Sequence, residues 1–149
     1  MSNKFFKRQM GDYFVTAKML NHMNITHGGT ILDQVDSAMG LFANSYCHTR
    51  ILTGRIDKFV FLKKSYAGDH LNFCISLIKT TPKTMTIYAA VNRVNLTEDK
   101  TELIGEAVFT YVAVDENLRP ISGTIKQFKI TDPAQKEYVD LIIERFNLK

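Results

Sequence analysis

Apolar residues recur at helical spacing from Gly28 to Tyr46, where Ile31, Leu32, Val35, Ala38, Met39 and Phe42 fall on one stripe and no proline interrupts. Gly28-Gly29 lets the backbone turn tightly into this helix. Downstream the period drops to two. Thr53 to Phe61 alternates, and His70 to Lys79 places Leu71, Phe73, Ile75 and Leu77 opposite Asn72, Cys74 and Ser76. Thr84 to Val94 alternates through Met85, Ile87, Ala89 and Val91. Leu103 to Val114 sets Phe109 and Tyr111 against Val108, Val112 and Val114. Turn chemistry separates these runs at Tyr66 to Asp69, at Thr80 to Lys83 with Pro82, and at the polar stretch Asn95 to Thr101. Upstream, Tyr13 to Leu20 predicts a first strand, and residues 1–12 predict an arm or a short capping segment. A terminal helix over 132–147 has Asp132 as N-cap, Pro133 at its first position and Gln135 at the reciprocal capping position. Its apolar face is Val139, Ile142, Ile143 and Phe146. The order is strand, long helix, four strands, terminal helix, which is an α+β layer architecture.

Composition narrows the picture only moderately. At 149 residues the chain is sized for one domain with one core. A hydrophobic share of 45% with 23% charged residues is ordinary for a globular protein. No run approaches the ~20 apolar residues of a membrane helix, and the basic start MSNKFFKRQMGDYF lacks the apolar core of a signal segment. A cytoplasmic protein with no membrane partner is expected. Cys47 and Cys74 lack metal spacing and are expected to be reduced thiols. The net charge of +4 comes from dispersed lysines. No helix-turn-helix, zinc-finger or RNA-recognition pattern accompanies it, so no nucleic-acid partner is expected. No phosphate loop, metal-ligand cluster or dinucleotide fingerprint appears either, and no cofactor or metal is expected.

Candidate chemistry gathers around the long helix. Asp36 sits at the edge of the apolar stripe, on the side of Gly29, Gly40 and Ala43, whose small size leaves room for approach. Its plainest alternative is an ordinary acid on a helix flank. Asp33 lies further from the stripe and is expected to be solvated, as are His22, His48 and His70. Ser37 has no nucleophile-elbow context. A partly desolvated carboxylate is a better base than one in bulk water. The helix start offers unpaired N–H groups and the positive end of the dipole. The Gly29 N–H is the first choice for a donor to a developing oxyanion.

The pattern Asn21-His22, Asn24, His27-Gly28-Gly29-Thr30-Ile31-Leu32, Asp36 resembles the signature of hotdog-fold acyl-CoA thioesterases, and the similarity runs from about Asp12 to Pro120. Asn24 stands where relatives often carry glycine, and it is the usual substitute in a left-handed turn. The resemblance implies an antiparallel sheet wrapped around one long central helix, with an extra C-terminal helix, in a single domain over 1–149. It implies hydrolysis of an acyl-CoA to a free acid and coenzyme A, the latter as part of the substrate. In that reading Asp36 is general base or nucleophile, Gly29 polarises the carbonyl, and Asn21 of a partner subunit orients water or substrate. His27, Gly28 and Thr30 fall at substrate-side motif positions, although His27 also reads as a structural residue at the helix entrance. Arg55, Lys63, Lys64, Lys83, Thr84 and Arg119 match positions that hold coenzyme A in the family. Lys64 replaces a common proline. Phe59, Phe61 and Tyr66 are candidates for the acyl end. A homodimer or a trimer of dimers is expected. A non-catalytic acyl-CoA sensor, and a thioesterase or dehydratase acting on carrier-protein-bound chains, remain the alternative functions.

Overall fold

A computed structural model describes residues 3–148; Met1 and Ser2 of the expected arm, and Lys149, lie outside the described residues. The elements are β1 (Arg8–Phe14), α1 (Gly28–Cys47), β2 (Arg50–Phe61), β3 (His70–Thr80), β4 (Thr84–Asn95), β5 (Lys100–Val114) and α2 (Pro133–Phe146), with one 3-10 turn at Ala17–Met19. The strands form a single antiparallel sheet in the order β1-β3-β4-β5-β2. The two strands that flank α1 in the chain therefore occupy opposite edges of the sheet. α1 crosses between them and packs on all five strands, the arrangement the resemblance implied.

The expected stripe is the core. Ile31, Val35, Ala38, Met39 and Phe42 are buried, joined by Ala43 and Cys47, and Leu32 is half-buried. They meet Leu71, Phe73, Ile75 and Leu77 of β3, Met85, Ile87, Ala89 and Val91 of β4, and Ala107, Phe109, Tyr111 and Ala113 of β5. The alternation in these strands follows from the sheet's two faces, because successive side chains point to opposite sides.

The opposite face is covered by α2. Val139, Ile142 and Leu148 pack on Ile78, Tyr88 and Val108. Beneath α2 the buried Glu106 carboxylate accepts a hydrogen bond from the Tyr88 hydroxyl at 2.6 Å and pairs with Arg145, so the acid is not left uncompensated. Asp132 caps α2 by accepting from the Ala134 N–H. Gln135 does not close a reciprocal capping box. It is 2% exposed, and its Oε1 accepts from Asn3 Nδ2 at 2.7 Å, because packing of the helix onto the sheet turns this side chain inward.

Two further expectations are corrected. The first strand, Arg8–Phe14, starts and ends earlier than the expected Tyr13 to Leu20 and takes in residues 8–12 of the expected arm. Gly11 is the reason: at φ +80° it makes a bulge between Met10 and Tyr13 that breaks the period-two pattern, and a Cβ there would fall 2.6 Å from the Tyr13 ring. As an edge strand β1 also carries polar residues a central strand would not. His70 is not a surface residue. Its side chain is 12% exposed, pairs with Asp12 and stacks on Phe14.

Burial pushes the Tyr138 phenol up to about 12, and burial followed by hydrogen bonds to Glu106 and Asp36 raises Tyr88 and Tyr111. An unfolded tyrosine ionises near pH 10. These groups hold their protons more tightly when folded, so their contribution is intact below about pH 10 and is lost as pH rises toward the folded values. The urea midpoint should therefore fall between pH 9 and pH 11, and Tyr138→Phe should shrink that fall; an equal fall in the variant would contradict this.

Candidate active site

Asp36 lies half-buried on α1, where the helix passes over the β2–β5 pair. Its Oδ1 accepts two hydrogen bonds, from Thr53 Oγ1 of β2 at 2.8 Å and from the Tyr111 hydroxyl of β5 at 2.7 Å. Thr53 and Tyr111 are direct partners across the two strands, which brings both donors to the same oxygen. Oδ2 has no hydrogen-bond partner among the described residues. Gly40, one turn on, keeps this side of the helix low: a Cβ there would stand 3.8 Å from Ile51 and 4.0 Å from the Tyr111 ring. Asp33 and Ser37 are exposed.

A second group of residues surrounds the start of α1. Asn21 opens a tight turn in which its N–H donates to Ile25 O at 2.8 Å and its Oδ1 accepts from the Met23 N–H at 2.9 Å. Asn24 adopts the left-handed conformation expected of it, at φ +62°. The turn is pinned outside itself by the Thr26 N–H on Ser65 O and the His27 N–H on Met19 O. Because the Asn21 carbonyl oxygen is engaged inside the turn, only its amide N–H groups remain to be offered outward.

The helix start differs from expectation at one atom. His27 is the N-cap, and its Nδ1 accepts from the Gly29 N–H at 3.0 Å. The Gly29 donor is therefore engaged locally. The Gly28 N–H has no partner among the described residues. Gly28 also meets the Phe61 ring so closely that a Cβ would fall 3.0 Å away, so only glycine fits there without displacing the ring.

Asn21 and Gly28 share a cleft of about 650 Å³ with Ile31, Phe61, Lys63, Lys64, Tyr66 and Arg93. Lys63 pairs with Glu102 at 2.6 Å, and Arg93 pairs with Glu102 and with Asp69. Lys64 is exposed and has no ion-pair partner among the described residues. Phe61 and Tyr66 line this cleft, while Phe59 packs into the core. His27 and Thr30 sit in the turn and first helical turn beside the cleft without lining it.

The remaining cations are elsewhere on the protomer. Lys83 and Thr84 belong to the β3–β4 turn, where Thr84 Oγ1 is 2.7 Å from Thr81 Oγ1. Arg119 lies in the loop after β5, held by Asp115. These three cluster at the end of the sheet that receives the C-terminus of α1, opposite the cleft. Arg55 points along the α2 side of the sheet, pairing with Asp57 at 2.6 Å and donating to Thr110. One protomer does not gather the six coenzyme A candidates into one pocket. Asp36 is also outside the cleft, eight residues along α1 from Gly28, or about 12 Å at the helical rise. Among the described residues no group of three or more His, Cys, Asp or Glu could hold a metal, and no helix is long and apolar enough to cross a membrane.

Sequence reading missed Tyr111 and Thr53 as partners of Asp36. Tyr111 sits among core residues of β5, and its hydroxyl, which needs a partner wherever it is buried, was the available signal.

This site lies in a known framework. The chain belongs to the thioesterase superfamily, whose family model matches residues 23–98, just over half of it. It is 31% identical over 93 residues to an uncharacterised acyl-CoA thioester hydrolase of Zymomonas mobilis, covering 62% of each chain. It is 26% identical over 103 residues to an uncharacterised acyl-CoA thioester hydrolase of Bacillus subtilis, covering 68% of this chain and 59% of that one. The chain thus spans about three-fifths of the length of these relatives. In structure it resembles the hexameric thioesterase of Yersinia pestis, with 26% identity and a TM-score of 0.74 over 81% of this chain and 97% of that one. It shares the hotdog fold of an acyl-CoA hydrolase from Staphylococcus aureus solved with butyryl coenzyme A and coenzyme A, with 20% identity and a TM-score of 0.82 over 93% of this chain and 84% of that one. The Staphylococcus aureus protein has also been solved with single alanine replacements of an aspartate, of an asparagine 15 positions before it, and of a threonine 17 positions after it.

Removing the N-cap side chain should expose the role of His27. His27→Ala should cost about 1 kcal/mol of stability in urea unfolding and speed amide exchange at Gly29. Unchanged exchange at Gly29 would contradict the cap.

Proposed function

We propose that the chain is an acyl-CoA thioesterase whose active sites form between two copies, with Asp36 of one facing Asn21 and Gly28 of the other. The observation that carries this reading is the state of the Asp36 carboxylate: one oxygen is held by two donors and the other is free on the open flank of a glycine-entered helix. The asparagine, aspartate and threonine replaced in the Staphylococcus aureus protein have the same separations as Asn21, Asp36 and Thr53, which supports assigning those three to one site.

In the reaction the thioester carbonyl carbon is attacked by water that Asp36 deprotonates, or by the carboxylate itself. The carbonyl oxygen becomes an oxyanion, met by the Asn21 amide and the Gly28 N–H with the positive end of the α1 dipole behind them. Gly28 replaces Gly29 as the backbone donor, because His27 already occupies Gly29. The C–S bond then breaks, the thiolate of coenzyme A takes a proton, and the acyl group leaves as a carboxylate. If Asp36 attacks directly, water cleaves the resulting anhydride to the same products.

The helical spacing supports two copies. Gly28 and Asp36 stand eight residues, about 12 Å, apart along one helix, too far to share one carbonyl group. β2 is a twelve-residue edge strand with Leu52, Ile56 and Phe61 exposed along it, and such an edge invites pairing with a second copy. An antiparallel β2 pair would set the Asp36 of each chain toward the helix start of the other. It would also bring Lys83, Thr84 and Arg119 of one chain toward Lys63 and Lys64 of the other, assembling cations for the coenzyme A phosphates.

Thiol release across acyl-CoA chain lengths should show turnover, with Asp36→Ala lowering kcat at least ~100-fold. Binding of coenzyme A thioesters without release would point to a sensor, and release only from carrier-protein thioesters would redirect the substrate. Mixing inactive Asp36→Ala and Asn21→Ala chains should restore activity, since each mixed dimer has one intact site; no recovery from verified mixed dimers would remove the two-chain site.

A further inference from the structure

We infer that Tyr111 is a positioning residue for the reaction: by donating to Oδ1 of Asp36 together with Thr53, it reserves Oδ2 as the working oxygen. This rests on the thioesterase reading above and adds a role to a residue in the core of the sheet.

The argument starts from what a buried phenol needs. Tyr111 is 0% exposed, packed in the core cluster with Phe109 and the α1 stripe. A phenylalanine would fill nearly the same volume without a polar group to satisfy. The hydroxyl donates to Asp36, 2.7 Å from Oδ1 and 3.1 Å from the backbone oxygen of the same residue. It therefore reads both the side chain and the helix that carries it. An aspartate's terminal torsion is broad and nearly two-fold, so a half-exposed carboxylate with one donor can exchange its two oxygens. Two donors converging on Oδ1 from neighbouring strands remove that freedom. Thr53 is exposed on the β2 edge, whereas Tyr111 is fixed by the core, so Tyr111 is the rigid half of the clamp.

The test compares wild type with Tyr111→Phe, which keeps the ring and removes only the hydroxyl. With an active wild type, kcat should fall 10- to 100-fold while KM stays within about twofold, and the melting transition should remain cooperative. The crystal structure of the variant should show Asp36 in more than one side-chain orientation. Thr53→Val should reduce kcat in the same way, whereas Thr53→Ser, which restores the hydroxyl, should not. An unchanged kcat, a loss confined to KM, or a single unaltered Asp36 orientation in Tyr111→Phe would each overturn the positioning role while leaving the thioesterase reading intact. A wild type inert toward every acyl-CoA and carrier-protein thioester would overturn that reading, and this role with it.

Discussion

A carboxylate on the flank of a core helix has to be met by donors or stay in water, and the fold meets Asp36 on one oxygen only. That half-satisfied carboxylate is the constraint on which the rest depends. It requires α1 to lie across β2 and β5 at a fixed rotation, because Thr53 and Tyr111 reach Oδ1 from adjacent strands. The apolar stripe from Ile31 to Phe42 sets that rotation by burying the adjoining face of the helix against β3, β4 and β5. Gly40 keeps the carboxylate's own flank low enough for an approaching ligand. Core packing and site geometry are thus the same set of contacts seen from two sides of one helix.

A second set of polar groups sits at the start of that helix, about two turns before Asp36. Asn21 spends its carbonyl oxygen on its own turn and keeps its amide donors. His27 takes the Gly29 N–H and leaves Gly28 as the open donor, in contact with Phe61. The eight residues of α1 from Gly28 to Asp36 hold that donor and the carboxylate about 12 Å apart. That fixed separation is the reason a two-chain site is proposed.

Much of this was legible in the sequence because it follows from periodicity. The α1 stripe, the alternation of β3 to β5, and the Asp132-Pro133 start of α2 are local patterns, and each reappears in the structure. Asp36 and Asn21 stand out in the sequence only through a motif, and their roles are proposed above. What was missed depends on tertiary detail. β1 escaped because Gly11 shifts its register and because an edge strand tolerates polar residues. Spacing suggests a capping box for Gln135, but on the inner side of α2 the side chain is buried and accepts from Asn3 instead. The engaged Gly29 N–H depends on one imidazole orientation, and Tyr111 looked like core because it is core; only its hydroxyl's partner, 75 positions away, gives it a role. The separation of Lys83, Thr84 and Arg119, and of Arg55, from Lys63 and Lys64 on one protomer likewise could not be read from a linear match.

The most direct test is a crystal structure with an acyl-CoA analogue that has a methylene in place of the thioester sulfur, which keeps the carbonyl and resists cleavage. The account predicts the carbonyl carbon about 3–3.5 Å from Asp36 Oδ2 of one protomer or from a water held by that oxygen, with the carbonyl oxygen within hydrogen-bonding reach of Asn21 and Gly28 of the other. A carbonyl bound away from Asp36, or one served by a single chain alone, would contradict it.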